Sequence, residues 1–379
     1  MTSPGAELRG LRLESEVTPD ARALVALTVA GVRNPGPDEV VVRVDAAPIN
    51  PSDLSLMFAF GDIGRAEFGG SPDRPVVSVP IPAEQFRGTR ARLNKPMALG
   101  NEGAGTVVQA GGSSSAQALL GRLVSVAGGG MYSQFRRVPA SACLALPEGT
   151  AAAHAAASFI NPMTALGILE TMKSEGHSAL VHTAAASSLG QLLNRLCLQD
   201  QVPLVNIVRS PDQAQMLRRA GADVVCDSSA ADFDAALTEA LKETGATIAF
   251  DAVGGGSLVD RILACMEAAI SEDGPYQVYG SDVVKQVYVY GSLDRSTTSL
   301  SRTYGMSWSV GGWLLPRFLR QIHPELVASM RRRVADGLNT TFAARFTDSV
   351  TLAGALMPHA IAAYGRPSTG TKFLITPHG

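Results

Sequence analysis

The sequence carries little charge: Asp, Glu, Lys and Arg make up 17% of it and the net charge is only −2. No basic surplus exists to neutralise a nucleic-acid backbone or an anionic bilayer, so neither is expected as a partner. Cysteine is scarce. Cys143, Cys197, Cys226 and Cys265 stand far apart with no CxxC pair. They are expected as reduced core residues of a cytoplasmic protein rather than a disulfide framework. Long apolar runs are missing as well. The first residues, MTSPGAELRGLRLESE, lack the apolar centre of a secretory signal. The most apolar stretch, Ala151 to Leu169, is mostly alanine and is interrupted by His154, Asn161 and Pro162. That argues against a membrane span. What the chain does have is size and apolar content. Its 379 residues, 46% hydrophobic, exceed what one core usually supports, so two domains are expected.

To about Gly149 the chain reads as β-rich and irregular, with Val40–Val44 and Thr106–Val108 as strand candidates between Gly-rich turns. Gly61 to Pro96 is rich in Gly, Pro and Arg and lacks periodicity, so it reads as a long loop, an insertion or a lid. From about Ala151 strand-like runs alternate with helical stretches. The strands are Ala179–Thr183, Pro203–Arg209, Asp223–Cys226, Ala246–Asp251 and Gln286–Tyr290. The helices between them are Leu189–Leu198, Gln213–Ala220, Asp232–Glu243 and Gly256–Ile270. Near-continuous apolar strands alternating with helices predict an α/β fold, a doubly wound parallel sheet covered on both faces. The tail adds a basic helix (Arg317–Asp336), a strand-like Thr340–Phe346, a helix (Thr351–Tyr364) and a final strand, Lys372–Ile375.

The strand ending at Thr183 runs into AAASSLG and then a helix. In a dinucleotide-binding unit, glycines in this turn let a pyrophosphate reach the backbone at the helix start. The three motif positions here are Ala185, Ser187 and Gly190. Only the last is glycine, so an ordinary strand–helix turn stays open as the alternative. Small side chains still permit close approach, and the hydroxyls of Ser187 and Ser188 are possible phosphate donors. The next strand ends at Arg209, nineteen residues after Gly190. A carboxylate there would grip the ribose of NAD; a guanidinium suits the additional phosphate of NADP. NADPH is therefore favoured over NADH, against the alternative of a solvent-facing arginine at a strand end.

Five segments appear in order: INPSD (Ile49–Asp53), GNEGAGTVV (Gly100–Val108), INPMTALGILE (Ile160–Glu170), AAASSLGQ (Ala184–Gln191) and FDAVGG (Phe250–Gly255). Together they resemble the zinc-free branch of the medium-chain dehydrogenase/reductases, which includes quinone oxidoreductases and mitochondrial-type 2-enoyl thioester reductases. The resemblance implies a GroES-like domain over residues 1–154, completed by 318–379, around a Rossmann domain at 155–317, with the nicotinamide held in the cleft between them. It implies Asn161 near the nicotinamide end. Ser187, Ser188, Leu189 and Gly190 would cradle the pyrophosphate, and Arg209 and Ser210 would contact the adenosine phosphate. Tyr290, Gly291, Ser292 and Leu293, with Gly312, Trp313 and Leu314, would hold the nicotinamide through backbone groups, and Lys372 would close over the cofactor. The bland alternatives are a helix start for INPMTALG and a surface lysine for Lys372. For Trp308 and Trp313 they are buried packing. A homodimer is implied too.

Two departures stand out. The phosphate turn reads SSLG rather than a GGVG-like run. The tyrosine that enoyl thioester reductases carry shortly after INPSD is absent from Leu54–Gly61. Tyr132 substitutes only if its loop reaches the cleft. Zinc-dependent relatives place a Cys where this chain has Pro51 or Ser52 and a His where it has Asn101, and four closely spaced cysteines are absent. His154, His177 and His182 fit no ligand spacing and read as core or surface residues. Glu102 reads as a hydrogen-bonded carboxylate near the domain junction rather than a catalytic one. Asn50 is the nominee for a polar contact at the reacting end, its alternative being a turn cap before Pro51. The expected activity is NADPH-dependent hydride transfer to a quinone or other α,β-unsaturated carbonyl, without zinc. The alternatives are reduction of 2-enoyl thioesters, for which Arg87, Arg90, Arg92 and Lys95 offer a basic patch or merely a solvated loop, and cofactor binding without turnover.

Overall fold

The computed structural model describes residues 8–272, 276–365 and 372–379. The chain divides into two compact units, Met1–Ile160 with Arg331–Gly379, and Asn161–Met330. Among the described residues no helix is long and apolar enough to cross a membrane.

The first unit is built of two antiparallel-rich sheets. Leu8–Val17 and Arg22–Val32 form a long hairpin, paired from Leu8 opposite Val32 to Val17 opposite Ala23. Leu13, Val17, Ala23 and Val25 point inward at alternate positions and are fully buried, the signature of a sheet with one wet face. In the second sheet Glu39–Pro48 is central. It pairs with Glu102–Ala110 and Phe135–Pro139 on the N-terminal side, and with the C-terminal strand Phe373–Ile375 through Leu374 opposite Pro48 and Ile375 opposite Ala47. The C-terminal strand thus joins a sheet of the first unit.

Four expectations are corrected. Residues 61–96 are not a structureless loop. They hold a hairpin, Glu67–Ser71 with Arg74–Pro80, which extends the first sheet, and a short helix, Ala83–Thr89. Prolines at 75 and 80 hide the alternation, although Val77 and Val79 are buried. The helix expected over 317–336 is two helices, Leu315–Gln321 and Pro324–Asp336. Pro324 disfavours helical backbone at the residue before it and cannot donate into the first helix. Thr340–Phe346 forms no strand. Its start is a turn in which the Phe342 N–H bonds the Gly337 carbonyl, and β-branched composition without a pairing partner does not make a strand. The last helix is also shorter, Pro358–Tyr364 after a 3₁₀ turn at Gly354–Leu356.

In the second unit six strands form one parallel sheet: β1 Leu180–His182, β2 Leu204–Val208, β3 Val224–Asp227, β4 Ile248–Asp251, β5 Lys285–Val289 and β6 Trp308–Gly312. Their order is β3-β2-β1-β4-β5-β6 and every pair is parallel. That is the Rossmann order, with the topological switch between β1 and β4. Ser188–Asp200 (α1) and Pro211–Arg219 (α2) follow β1 and β2. Phe233–Thr244 and Leu258–Ser271 follow β3 and β4. Val181, Val205, Ile207, Phe233, Leu237, Ile262 and Leu263 share one buried core. All four cysteines are free thiols. Burial pushes Cys197 up to about 12, and Cys143 and Cys226 up to about 11.

Candidate cofactor and active site

Strand β1 ends on two buried polar residues that organise the switch point. The Thr183 hydroxyl donates to Asp251 Oδ1 at 2.6 Å and accepts the Ala252 N–H at 2.8 Å. The Asp251 carboxylate in turn accepts the N–H groups of Val253 (3.0 Å) and Gly254 (2.7 Å). The carboxyl ends of β1 and β4 are therefore tied through the Thr183 hydroxyl, and the FDAVGG turn takes its shape from Asp251. The sequence reading missed both residues, although the FDA segment was their signal. Beside them His182 Nε2 and the Tyr290 hydroxyl lie 2.7 Å apart, with His182 Nδ1 buried and unpartnered. Burial pushes His182 down to about 3, so its ring is neutral.

The turn into α1 follows directly. Ala184 lies in the left-handed region at φ 50°. Ser187 caps the helix, its Oγ accepting the Gly190 N–H at 3.1 Å. The N–H groups of Ser188 and Leu189 have no protein partner among the described residues, so two helix-start donors remain for an anion. A Cβ on Gly190 would lie 2.2 Å from the Ala185 carbonyl oxygen, so only glycine lets this helix press against its own turn. The donor set fits a pyrophosphate. Ser187 itself is committed to the cap, which leaves the exposed Ser188 as the free hydroxyl.

At the end of β2, Arg209 is exposed, with its N–H on Gln213 Oε1 at 3.2 Å. Ser210 caps α2 by accepting the Gln213 N–H. Past β5, Tyr290, Gly291, Ser292 and Leu293 run beside the FDAVGG turn. The Tyr290 N–H bonds Asp251 O, the Leu293 N–H bonds Ala252 O, and a Cβ on Gly291 would meet Ala252 O at 2.4 Å. Gly312, the last residue of β6, and Leu314 beyond it are exposed. Trp313 is buried: its indole N–H donates to Thr171 Oγ1 at 3.0 Å, its ring packs on Gly167, and its backbone N–H goes to Val289 O. Asn161 stands in the first turn of helix Ile160–Ser174, half-buried.

The first unit holds a second polar cluster. Asn50 precedes helix Pro51–Phe58, and its Nδ2 donates to Glu102 Oε1 at 2.8 Å. Glu102 Oε2 accepts the N–H groups of Phe159 (3.0 Å) and Ile160 (2.9 Å). Asp53 accepts the N–H groups of Asn50 (2.9 Å) and Asn101 (2.8 Å). Burial outweighs those two bonds, Glu102 adds repulsion, and the Asp53 carboxyl is pushed up to about 7. Burial likewise raises Glu102, against the pull of Lys372. Lys372 is 7% exposed, not a surface lysine. Its ammonium lies 5.5 Å from the centre of the Phe346 ring, and burial lowers its pKa against Glu102 and Asp53. Tyr132 is fully buried and its hydroxyl donates to Pro48 O at 2.9 Å, so it is not a spare proton donor. A Cβ on Gly100, which has φ 91°, would strike the Tyr132 ring at 2.5 Å; the GNEGAG segment needs glycine there.

Asn101 Nδ2 donates to Ser52 Oγ at 3.1 Å. The two positions where zinc-binding relatives carry ligands are thus neighbours, but they present an amide and a hydroxyl, which do not fit zinc. Among the described residues no three His, Cys, Asp or Glu side chains converge on one point. His154 is exposed beside Asn339, and His177 contacts Thr247.

Residues 36–148 match the family model of the alcohol dehydrogenase GroES-like domain. A Leishmania amazonensis protein ascribed to quinone oxidoreductases is 28% identical over 249 residues, 65% of this chain and 70% of that one. A mitochondrial enoyl-[acyl-carrier-protein] reductase of Xenopus tropicalis is 27% identical over 224 residues, 57% of this chain and 55% of that one. Among solved structures, a Mesorhizobium loti protein ascribed to NADPH:quinone reductases shares the fold at a TM-score of 0.72, with 24% identity and full coverage of both chains. Strand order and relatives point the same way: the chain is similar in sequence to quinone oxidoreductases and enoyl reductases of the medium-chain dehydrogenase/reductase superfamily, and in fold to a protein ascribed to NADPH:quinone reductases.

Proposed function

We propose that this chain, an oxidoreductase of that superfamily, transfers hydride from NADPH to a small conjugated carbonyl compound, a quinone or enone, without zinc. The observation that carries the reading is the charge pattern at the end of β2: an exposed guanidinium, Arg209, and no carboxylate, beside a helix start with two unused N–H donors. NADPH, when bound, supplies the hydride. Ser188, Leu189 and Gly190 hold the pyrophosphate at the positive end of α1, and Arg209, with Ser210, offsets the extra phosphate. Tyr290–Leu293 and Gly312–Leu314 supply main-chain groups for the nicotinamide; Trp313 does so through its carbonyl, since its N–H is taken. Asn161 borders that end of the cofactor. Asn50 acts by holding Glu102, and Lys372 is the cation of the same cluster that closes on the cofactor.

Beside the two polar clusters, Tyr132 donates to Pro48 O, the Tyr290 hydroxyl meets His182, and the His182 ring is neutral, so none of these three is a spare acid. A conjugated acceptor tolerates this, because negative charge spreads onto its oxygen, positioning supplies most of the effect, and water delivers the proton. The committed hydroxyl of Tyr132 favours this over dedicated 2-enoyl thioester reduction. A cytoplasmic homodimer without membrane or nucleic-acid partners belongs to the same reading. The test is NADPH oxidation with phenanthrenequinone against crotonyl thioester. Faster turnover of the quinone is expected. Preference for the thioester overturns the acceptor assignment, and turnover of neither, with NADPH bound, leaves a binding protein.

A further inference from the structure

A cavity of about 170 Å³ opens in the first unit where the hairpin Leu8–Val17/Arg22–Val32 meets the segment 130–137, and Arg12, Arg33, Arg136 and Arg137 line it. No Asp or Glu lines it. Arg12 pairs with Glu14 and Arg137 with Glu39 (2.8 Å). Arg33 and Arg136 have no carboxylate partner among the described residues, so two positive charges are uncompensated. Arg136 spends one N–H, Nε, on Gly129 O at 3.0 Å. Arg12 Nε is buried with no hydrogen-bond partner. The Arg12 side chain as a whole is 40% exposed, so it is this one buried donor, left without a partner, that calls for an explanation. The backbone is shaped to the cluster. Gly128, Gly129 and Gly130 all have positive φ, and a Cβ on Gly130 would lie 2.9 Å from Arg136 Nε. Burial, with repulsion from Arg12 and Arg137, holds the Arg136 guanidinium below its ordinary pKa.

We propose that this cavity binds the phosphoryl group of a small phosphorylated compound. Planar guanidinium forks match phosphate oxygens, and a dianion offsets the two free charges where a monocarboxylate offsets one. The cavity is too small for a dinucleotide, and all its walls belong to the first unit, so the site is independent of the turn at Gly190. The assignment stands whether or not the chain oxidises NADPH.

The experiment is calorimetric titration of the full-length protein with inorganic phosphate, at ionic strength fixed with potassium chloride and with acetate as the control anion. Saturable phosphate binding at one site is expected. It should persist in Arg209→Gln, weaken about 10- to 100-fold in Arg136→Gln and Arg33→Gln, and be partly kept in Arg136→Lys. Arg33 is exposed, so its variant reports on the site even where Arg136→Gln fails to fold. Binding lost in Arg209→Gln alone, unchanged in both cavity variants, or matched by acetate overturns the proposal.

Discussion

Asp53 accepts two backbone N–H groups, bonds that ordinarily lower a carboxyl pKa, yet burial carries it from 3.8 to about 7. Between those values the folded chain keeps a proton that the unfolded chain has released. Stability from this group is complete below 3.8 and is lost as pH rises through about 7. The effect is on the order of a few kcal/mol, or several degrees in Tm. Melting wild type and Asp53→Asn at about pH 5 and about pH 8 checks it. The wild type should lose more on going to the higher pH; an equal loss in both would show that another group titrates. Nothing in INPSD announced this, because a sequence states residue type and not burial. The alternative of a surface lysine for Lys372 fails for the same reason: the residue is buried against Phe346. The exposure of Arg209 was legible because it depends on position at a strand end.

The turn from β1 into α1 was readable as an element, since Leu189, Leu192, Leu193 and Leu196 recur at helical spacing and the preceding strand is apolar. Its missing glycines were ambiguous in sequence. The geometry explains them: Ala184 adopts the left-handed region without glycine, and Gly190 alone faces a backbone atom too close for a side chain. Gly190→Ala must therefore push the turn away from Ala185. It should cost about 1–3 kcal/mol of stability and weaken NADPH binding more than NADPH-independent properties such as far-UV dichroism. Unchanged affinity in a folded Gly190→Ala protein would mean that this turn does not hold the phosphates. The hairpin at 67–80 was illegible for the opposite reason. Pro75, Val77 and Val79 alternate inward, but a proline among the three and another at the strand end mask the pattern that signals a strand.

At the scale of the whole molecule, the parallel sheet followed from the repeated strand–helix pattern, whereas the role of the tail did not. The pairing of Leu374 with Pro48 joins residues over 300 positions apart, and no local periodicity encodes that. The proposed cofactor site rests on the switch between β1 and β4, where Thr183 and Asp251 tie the two strand ends beside the start of α1. Calorimetric titration of wild type and Arg209→Gln with NADPH and with NADH tests this most directly. Wild type should bind NADPH saturably and about 10- to 100-fold more tightly than NADH, and Arg209→Gln should erase that preference. Saturable binding of neither dinucleotide by the folded wild-type protein would contradict the account.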